Sequence, residues 1–165
     1  MSTEPSYALR PMAASDADAV QVLWRRRFGG APDTQENWID AALQSTHTAV
    51  GTVAAVEGTD EPVAFGLLDV AGPDYTRRYL SADALGLDPA LPAARNGVFH
   101  MYCVRPDWEG RGIGSALYAD HLERLAERGV PRAFGISWHR PHTVDSRVLF
   151  EKHGFTCLAN VERYY

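Results

Sequence analysis

The segment DWEGRGIGSAL, residues 107–117, carries glycines at 110, 112 and 114 around Arg111 and runs directly into helix-forming residues. The strand-like run GVFHMYCV lies just before it. Strand, glycine turn and helix in that order bring unpaired backbone N–H groups and the positive end of a helix dipole onto one point, where they hold an anion such as phosphate. Glycine supplies positive φ angles and leaves no side chain in the way of the phosphate oxygens. Arg111 adds a charge-assisted contact. A nucleotide-hydrolysing P-loop is disfavoured because no lysine precedes Ser115. A dinucleotide fingerprint fits poorly: the glycines alternate, Leu117 stands where glycine or alanine is wanted, and no acidic residue ends a matching second strand. On these residues alone, a turn that simply lets a helix pack closely stays open as the alternative.

Other reactive residue types give less. His142 and His153 read as helix-end residues without cysteine or acidic partners at metal spacing, so no metal site is expected. His121 shares one helix face with Leu117, Tyr118, Leu122 and Leu125 and reads as a packed core residue. Cys103 and Cys157 both lie in apolar, strand-like contexts and read as buried free thiols in a reducing compartment.

The elements that must position the turn follow from punctuation and periodicity. Tyr7 to Met12 reads as a first strand, and Ser15 with Asp18 has capping-box spacing ahead of a helix carrying Val20, Val22, Leu23, Trp24 and Phe28. Asp33 and Glu36 repeat the pattern before a helix with Trp38, Ile39, Ala42 and Leu43. HTAVGTVAAVEG and PVAFGLLDVAG, separated by turn formers from Gly58 to Pro62, predict an antiparallel hairpin. Residues 72–96 break the rhythm and read as a long functional or partly ordered loop. Its Tyr75, Arg77, Arg78 and Tyr79 either line an acceptor site or form a solvated excursion, and the arginines would suit an acceptor bearing carboxylate or phosphate. After the glycine turn a helix is expected from about Gly112 to Arg128, stopped by Gly129 and Pro131. RAFGISWH is the next strand, TVDSRVLFEKHG a short helix, and FTCLANVERYY one or two closing strands.

Bulk properties agree with one globular domain over residues 1–165. The chain is 45% hydrophobic and 22% charged, with a formal net charge of -5, so no basic surface for nucleic acid is expected. No apolar run approaches the ~20 residues of a membrane span and MSTEPSYALRP lacks the pattern of a secretion signal, so the expected location is the cytoplasm, away from membranes.

VRPDWEGRGIGSALY, with LFEKHGF about thirty residues later and YALRPMAASDADAV at the N-terminus, resembles the GNAT superfamily of acetyl-CoA-dependent N-acetyltransferases. The resemblance implies a mixed, mostly antiparallel α/β sheet flanked by helices, with a splay between two central strands, here 98–104 and 132–139. It implies acetyl-CoA as co-substrate. Its pantetheine arm would pair with the backbone of Tyr102, Cys103 and Val104, and its pyrophosphate would sit on the amides of Gly110, Arg111, Gly112, Ile113, Gly114 and Ser115. The acceptor would be a primary amine, on a small molecule or a peptide. A homodimer partner would complete the site near residues 72–96 or the NVERYY segment.

The family pattern is departed from at Glu109, where Gln or Arg is usual, and at Thr143 and Ser146, where Asn and Ala are frequent. Phe150 occupies the position of a tyrosine general acid, and a phenyl ring has no proton to give. Water, Tyr102 or another hydroxyl would then protonate the departing thiolate. Transfer also requires a base, because an alkylammonium has a pKa near ~10. His139 is the first candidate and His100, sharing side-chain parity with Tyr102 and Val104, the second; for each, a histidine satisfied by an ordinary hydrogen bond is the competing reading. The backbone N–H of Val104, at a bulge, would hold the oxyanion. Against catalysis stands a second class, an acyl-CoA sensor that kept the coenzyme slot without turnover. Transfer of a longer acyl chain is a third.

Overall fold

The computed structural model of the protein describes residues 6–28, 50–137 and 146–160. Strand β1 (Tyr7–Pro11) leads through a short 3-10 turn to α1 (Ala17–Phe28), and the β2–β3 hairpin (Val50–Val56 and Pro62–Ala71) leads to α2 (Pro73–Tyr79). Then come β4 (Asn96–Val104), α3 (Ile113–Glu127), β5 (Ala133–Gly135) and α4 (Ser146–Lys152). The sheet order is β1-β2-β3-β4-β5, antiparallel throughout except for the parallel β4–β5 pair. Among the described residues no helix is long and apolar enough to cross a membrane.

Alternation along the strands gives the sheet two apolar faces. One takes α1: Val20, Leu23 and Trp24 pack on Val53, Phe65 and Cys103. The other takes α3, whose Leu117, Tyr118, His121 and Leu125 are buried, the face read from sequence. Val22 is 44% exposed and lies off the α1 seam. The start of α1 is not capped by the Ser15–Asp18 pair. Asp16 instead braces the 3-10 turn ahead of it: its carboxylate accepts the Ala13 amide at 2.7 Å and two bonds from the Arg10 guanidinium, each 2.8 Å. The bidentate Arg10 fork holds that carboxylate in place.

The 72–96 segment is more ordered than expected. Pro73 opens α2, and Thr76 donates to the Gly72 carbonyl at 2.9 Å while accepting from the buried Asn96 amide at 3.2 Å. Asn96 also holds both polar groups of Ala93, its amide oxygen accepting from the Ala93 N–H at 2.7 Å and its Nδ2 donating to the Ala93 carbonyl at 3.0 Å. At the other end of the chain, residues 155–160 form no strand, and Cys157 is exposed rather than buried. Among the described residues no partner strand runs along this stretch. The helix expected around Trp38 and the outer part of the closing segment lie outside the described residues.

A bulge in β4 shapes the centre of the sheet. Leu67 pairs with Met101 and Leu68 with Phe99, so His100 is the extra residue. Its effect is visible in the side chains: Phe99 and Tyr102, three apart, stack at 5.5 Å on one face, which an unbroken strand forbids. His100 therefore does not share a face with Tyr102, and the bulge lies four residues before Val104, correcting both expectations. The β4–β5 pairing ends at Phe99 with Gly135, level with the bulge. Beyond it Met101 to Val104 pair with β3 on one edge only, and among the described residues no strand covers the other.

Beneath Tyr102 runs a buried polar chain whose proton positions can be deduced. The Thr52 hydroxyl donates to Asp120 at 2.7 Å, so it must accept from His121 Nε2, 3.1 Å away. His121 then carries its single proton on Nε2, and its Nδ1 accepts the Tyr102 O–H. Burial pushes the His121 pKa from 6.5 down to about 4, opposed by the Asp120 charge. A depressed histidine pKa means the unfolded chain binds the extra proton first, so its stability contribution is full above ~6.5 and is lost as pH falls toward about 4. Urea denaturation should show a loss of about 3 kcal/mol across that window. His121→Gln, less stable at neutral pH, should flatten the slope; an unchanged slope in that variant would contradict the assignment.

Candidate active site

The open edge of β4 points at the glycine turn. Gly110 and Gly112 adopt φ of 75° and 78°, conformations that favour glycine. Gly112 is the N-cap of α3 and offers no side-chain cap, and the first helical bond is donated by Ala116 to the Gly112 carbonyl at 3.0 Å. Among the described residues no main-chain acceptor meets the amides of Gly112, Ile113, Gly114 or Ser115. A helix start of fifteen residues with four free donors and no capping carboxylate is suited to an anion. Gly114 serves a different purpose: a Cβ there would meet Leu149 at 3.5 Å, so α4 lies against this first turn.

The surroundings fix the charges. Arg111 lies over the buried Trp108 ring, its Cζ 4.6 Å from the centroid, with Arg105 at 5.8 Å. Glu109, the unfavourable carboxylate, pairs with Arg27 of α1 at 3.5 Å. That pairing turns it from the amides and removes the repulsion its position in the sequence suggests. Ser115 Oγ lies 2.9 Å from His153 Nε2.

At the bulge, His100 Nε2 meets Asp69 Oδ2 at 2.8 Å, with the Tyr75 hydroxyl at 3.4 Å and the Tyr79 ring 5.1 Å away. Tyr79 itself donates to the Phe99 carbonyl at 2.9 Å, at the apex of the splay. The segment 72–96 thus brings Tyr75 and Tyr79 to His100, while Arg77 is engaged by Asp83. Tyr102 is placed differently from His100, its hydroxyl committed to His121 under α3. Cys103 faces α1, its thiol on the Leu23 carbonyl at 3.6 Å and pushed up to about 12 by burial. Val104 closes the β3 ladder opposite Ala64. His139 and Thr143 lie outside the described residues. Sequence reasoning missed Asp69 and Glu109's partner Arg27, because nothing local in a strand or helix marks which distant charge it will meet.

Three comparisons bear on this arrangement. No curated protein matches the sequence. Among solved structures, an aminoglycoside N-acetyltransferase AAC(6')-Iy in complex with CoA superposes with a TM-score of 0.73 at 17% identity, over 100% of this chain and 97% of that one. The same enzyme with a bisubstrate analog, CoA-S-monomethyl-acetylneamine, gives 0.72 at 18% identity, covering 97% of each chain. A ribosomal-protein-alanine N-acetyltransferase from Brucella melitensis biovar Abortus 2308 gives 0.64 at 19% identity over 97% of each. At such identities the likeness is one of fold. The model of the acetyltransferase (GNAT) family matches residues 17–155, most of the chain and all of the turn, its helix and the splayed strands. The family's acetyl donor is acetyl-CoA, and the chain belongs to the GNAT acetyltransferase family.

Proposed function

We propose that the protein moves an acetyl group from acetyl-CoA to a primary amine by direct attack, within one domain in the cytoplasm. The observation that carries this reading is the open β4 edge leading from the free amides of the glycine turn to the His100–Asp69 pair. The pantetheine arm extends β4 along Met101 to Val104, which supplies main-chain donors and acceptors in register. The diphosphate rests on the amides of Gly112 to Ser115, with Arg111 beside it.

The amine enters from the α2 side. With Nε2–H donated to Asp69, His100 presents Nδ1 as the nitrogen that accepts the ammonium proton, directly or through a water. The nitrogen lone pair then attacks the thioester carbonyl, and the amide of the extra residue in the bulge, left out of the ladder, is the donor nearest in kind to an oxyanion hole. A covalent acyl-cysteine is disfavoured, since Cys103 is buried on the α1 face with a thiol that resists ionisation. An aspartate and two tyrosines around the acceptor entrance favour a cationic amine over an anionic one.

Calorimetric titration with acetyl-CoA, followed by thiol release against a panel of amines, tests the reading. Binding at micromolar concentration with amine-dependent thiol release is expected. Binding without turnover for any amine would instead favour a coenzyme sensor, and no heat at high micromolar coenzyme would overturn both.

A further inference from the structure

We infer that Tyr118 of α3 is the general acid that protonates the coenzyme A thiolate, replacing the hydroxyl absent at Phe150; this rests on the transferase reading above. Tyr118 is 3% exposed, yet its hydroxyl has no hydrogen-bond partner among the described residues. The Tyr118 oxygen is not a fully enclosed polar atom, so it opens onto accessible space. A phenol buried to the ring with a free, reachable O–H is unusual, since buried polar groups are nearly always paired.

Its place in the fold says what that oxygen meets. The Tyr118 ring packs edge to face on Phe150 at 5.1 Å and lies 5.1 Å from Phe99 and 4.3 Å from Tyr102. Phe150 in turn covers Gly135, where a Cβ would come within 2.5 Å of its Cζ. Phe99 and Gly135 are the last pair before the splay opens. The Tyr118 ring is thus held on the helix beside the same apex over which the Phe150 ring tip sits. Tyr79, whose hydroxyl holds the Phe99 carbonyl, lies at the same apex. Burial raises the Tyr118 pKa, which keeps the phenol protonated at neutral pH.

The step balances without another reactant. As the tetrahedral intermediate collapses, the C–S bond breaks, its electron pair goes to sulfur, and the Tyr118 proton follows to give the free thiol. Solvent returns a proton to the phenolate, and the ammonium gives up two protons through the base and solvent, one before attack and one from the tetrahedral nitrogen, so that one proton is released net. Because an alkyl thiol has a pKa near ~8.5, its thiolate is a moderate leaving group, and the acid should matter by ten- to a hundredfold rather than absolutely.

Tyr118→Phe removes one oxygen that has no hydrogen-bond partner among the described residues. The variant should hold coenzyme A as the wild type does and lose ten- to a hundredfold in kcat with acetyl-CoA. With the selenoester analogue of acetyl-CoA, whose selenolate departs without a proton, the deficit should shrink below threefold. A purely structural tyrosine would slow both donors alike. An active wild type whose Tyr118→Phe variant keeps its kcat, or loses it equally with both donors, overturns the assignment to Tyr118 alone. A wild type that binds coenzyme but transfers from neither donor overturns the transferase reading with it.

Discussion

Replacing Gly112 with aspartate should weaken coenzyme A binding about a hundredfold, while asparagine at the same position should cost far less. Both residues tolerate the left-handed conformation better than other side chains, and a Cβ at Gly112 meets nothing within 4 Å, so the two variants share their steric and conformational burden. They differ in one charge. A carboxylate about 6 Å from a phosphate at an effective dielectric near 20 is repelled by roughly 2–3 kcal/mol, which is the factor expected. Calorimetry on the pair, with melting temperatures as control, separates anion binding from folding. Equal affinities for the two would mean that no phosphate group comes near the cap of α3.

His100→Ala should lower kcat by a hundred- to a thousandfold and leave coenzyme affinity nearly untouched. The imidazole sits at the bulge, away from the glycine turn, and its loss removes the group that accepts the amine proton. Because a free amine needs no base, raising the pH toward ~10 should restore part of the rate in the variant. Asp69→Asn should cost less, about tenfold, since it only loosens the tautomer and orientation of His100. A His100→Ala enzyme within threefold of wild type at neutral pH would move the base elsewhere.

Much of this was readable from the chain because the features are local. Glycines at 110 and 112, a strand before them and an amphipathic face after them define the turn within twenty residues, and the structure reproduces the helix to within a residue at each end. The β2–β3 hairpin is equally local. What escaped was non-local or slight. The bulge at His100 leaves no mark in GVFHMYCV, since a single inserted residue is defined by its partner strand, and it changes which face His100 addresses. α2 has seven residues, too few for a period to emerge, and only Thr76 is buried on it. Cys157 looked like a core thiol because FTCL alternates as a strand does, but among the described residues no neighbouring strand pairs with it. Glu109 looked like a defect because its partner, Arg27, lies on another helix over eighty positions away.

Backbone amide shifts in a coenzyme A titration of the isotope-labelled protein test the central claim directly, since they report on the N–H groups themselves. The largest downfield movements should fall on Gly112, Ile113, Gly114 and Ser115, with smaller ones along Met101 to Val104, and desulfo-coenzyme A should reproduce them because it keeps the diphosphate. If coenzyme binds while those four amides stay where they were, the anion is held elsewhere and the site built around the turn is wrong.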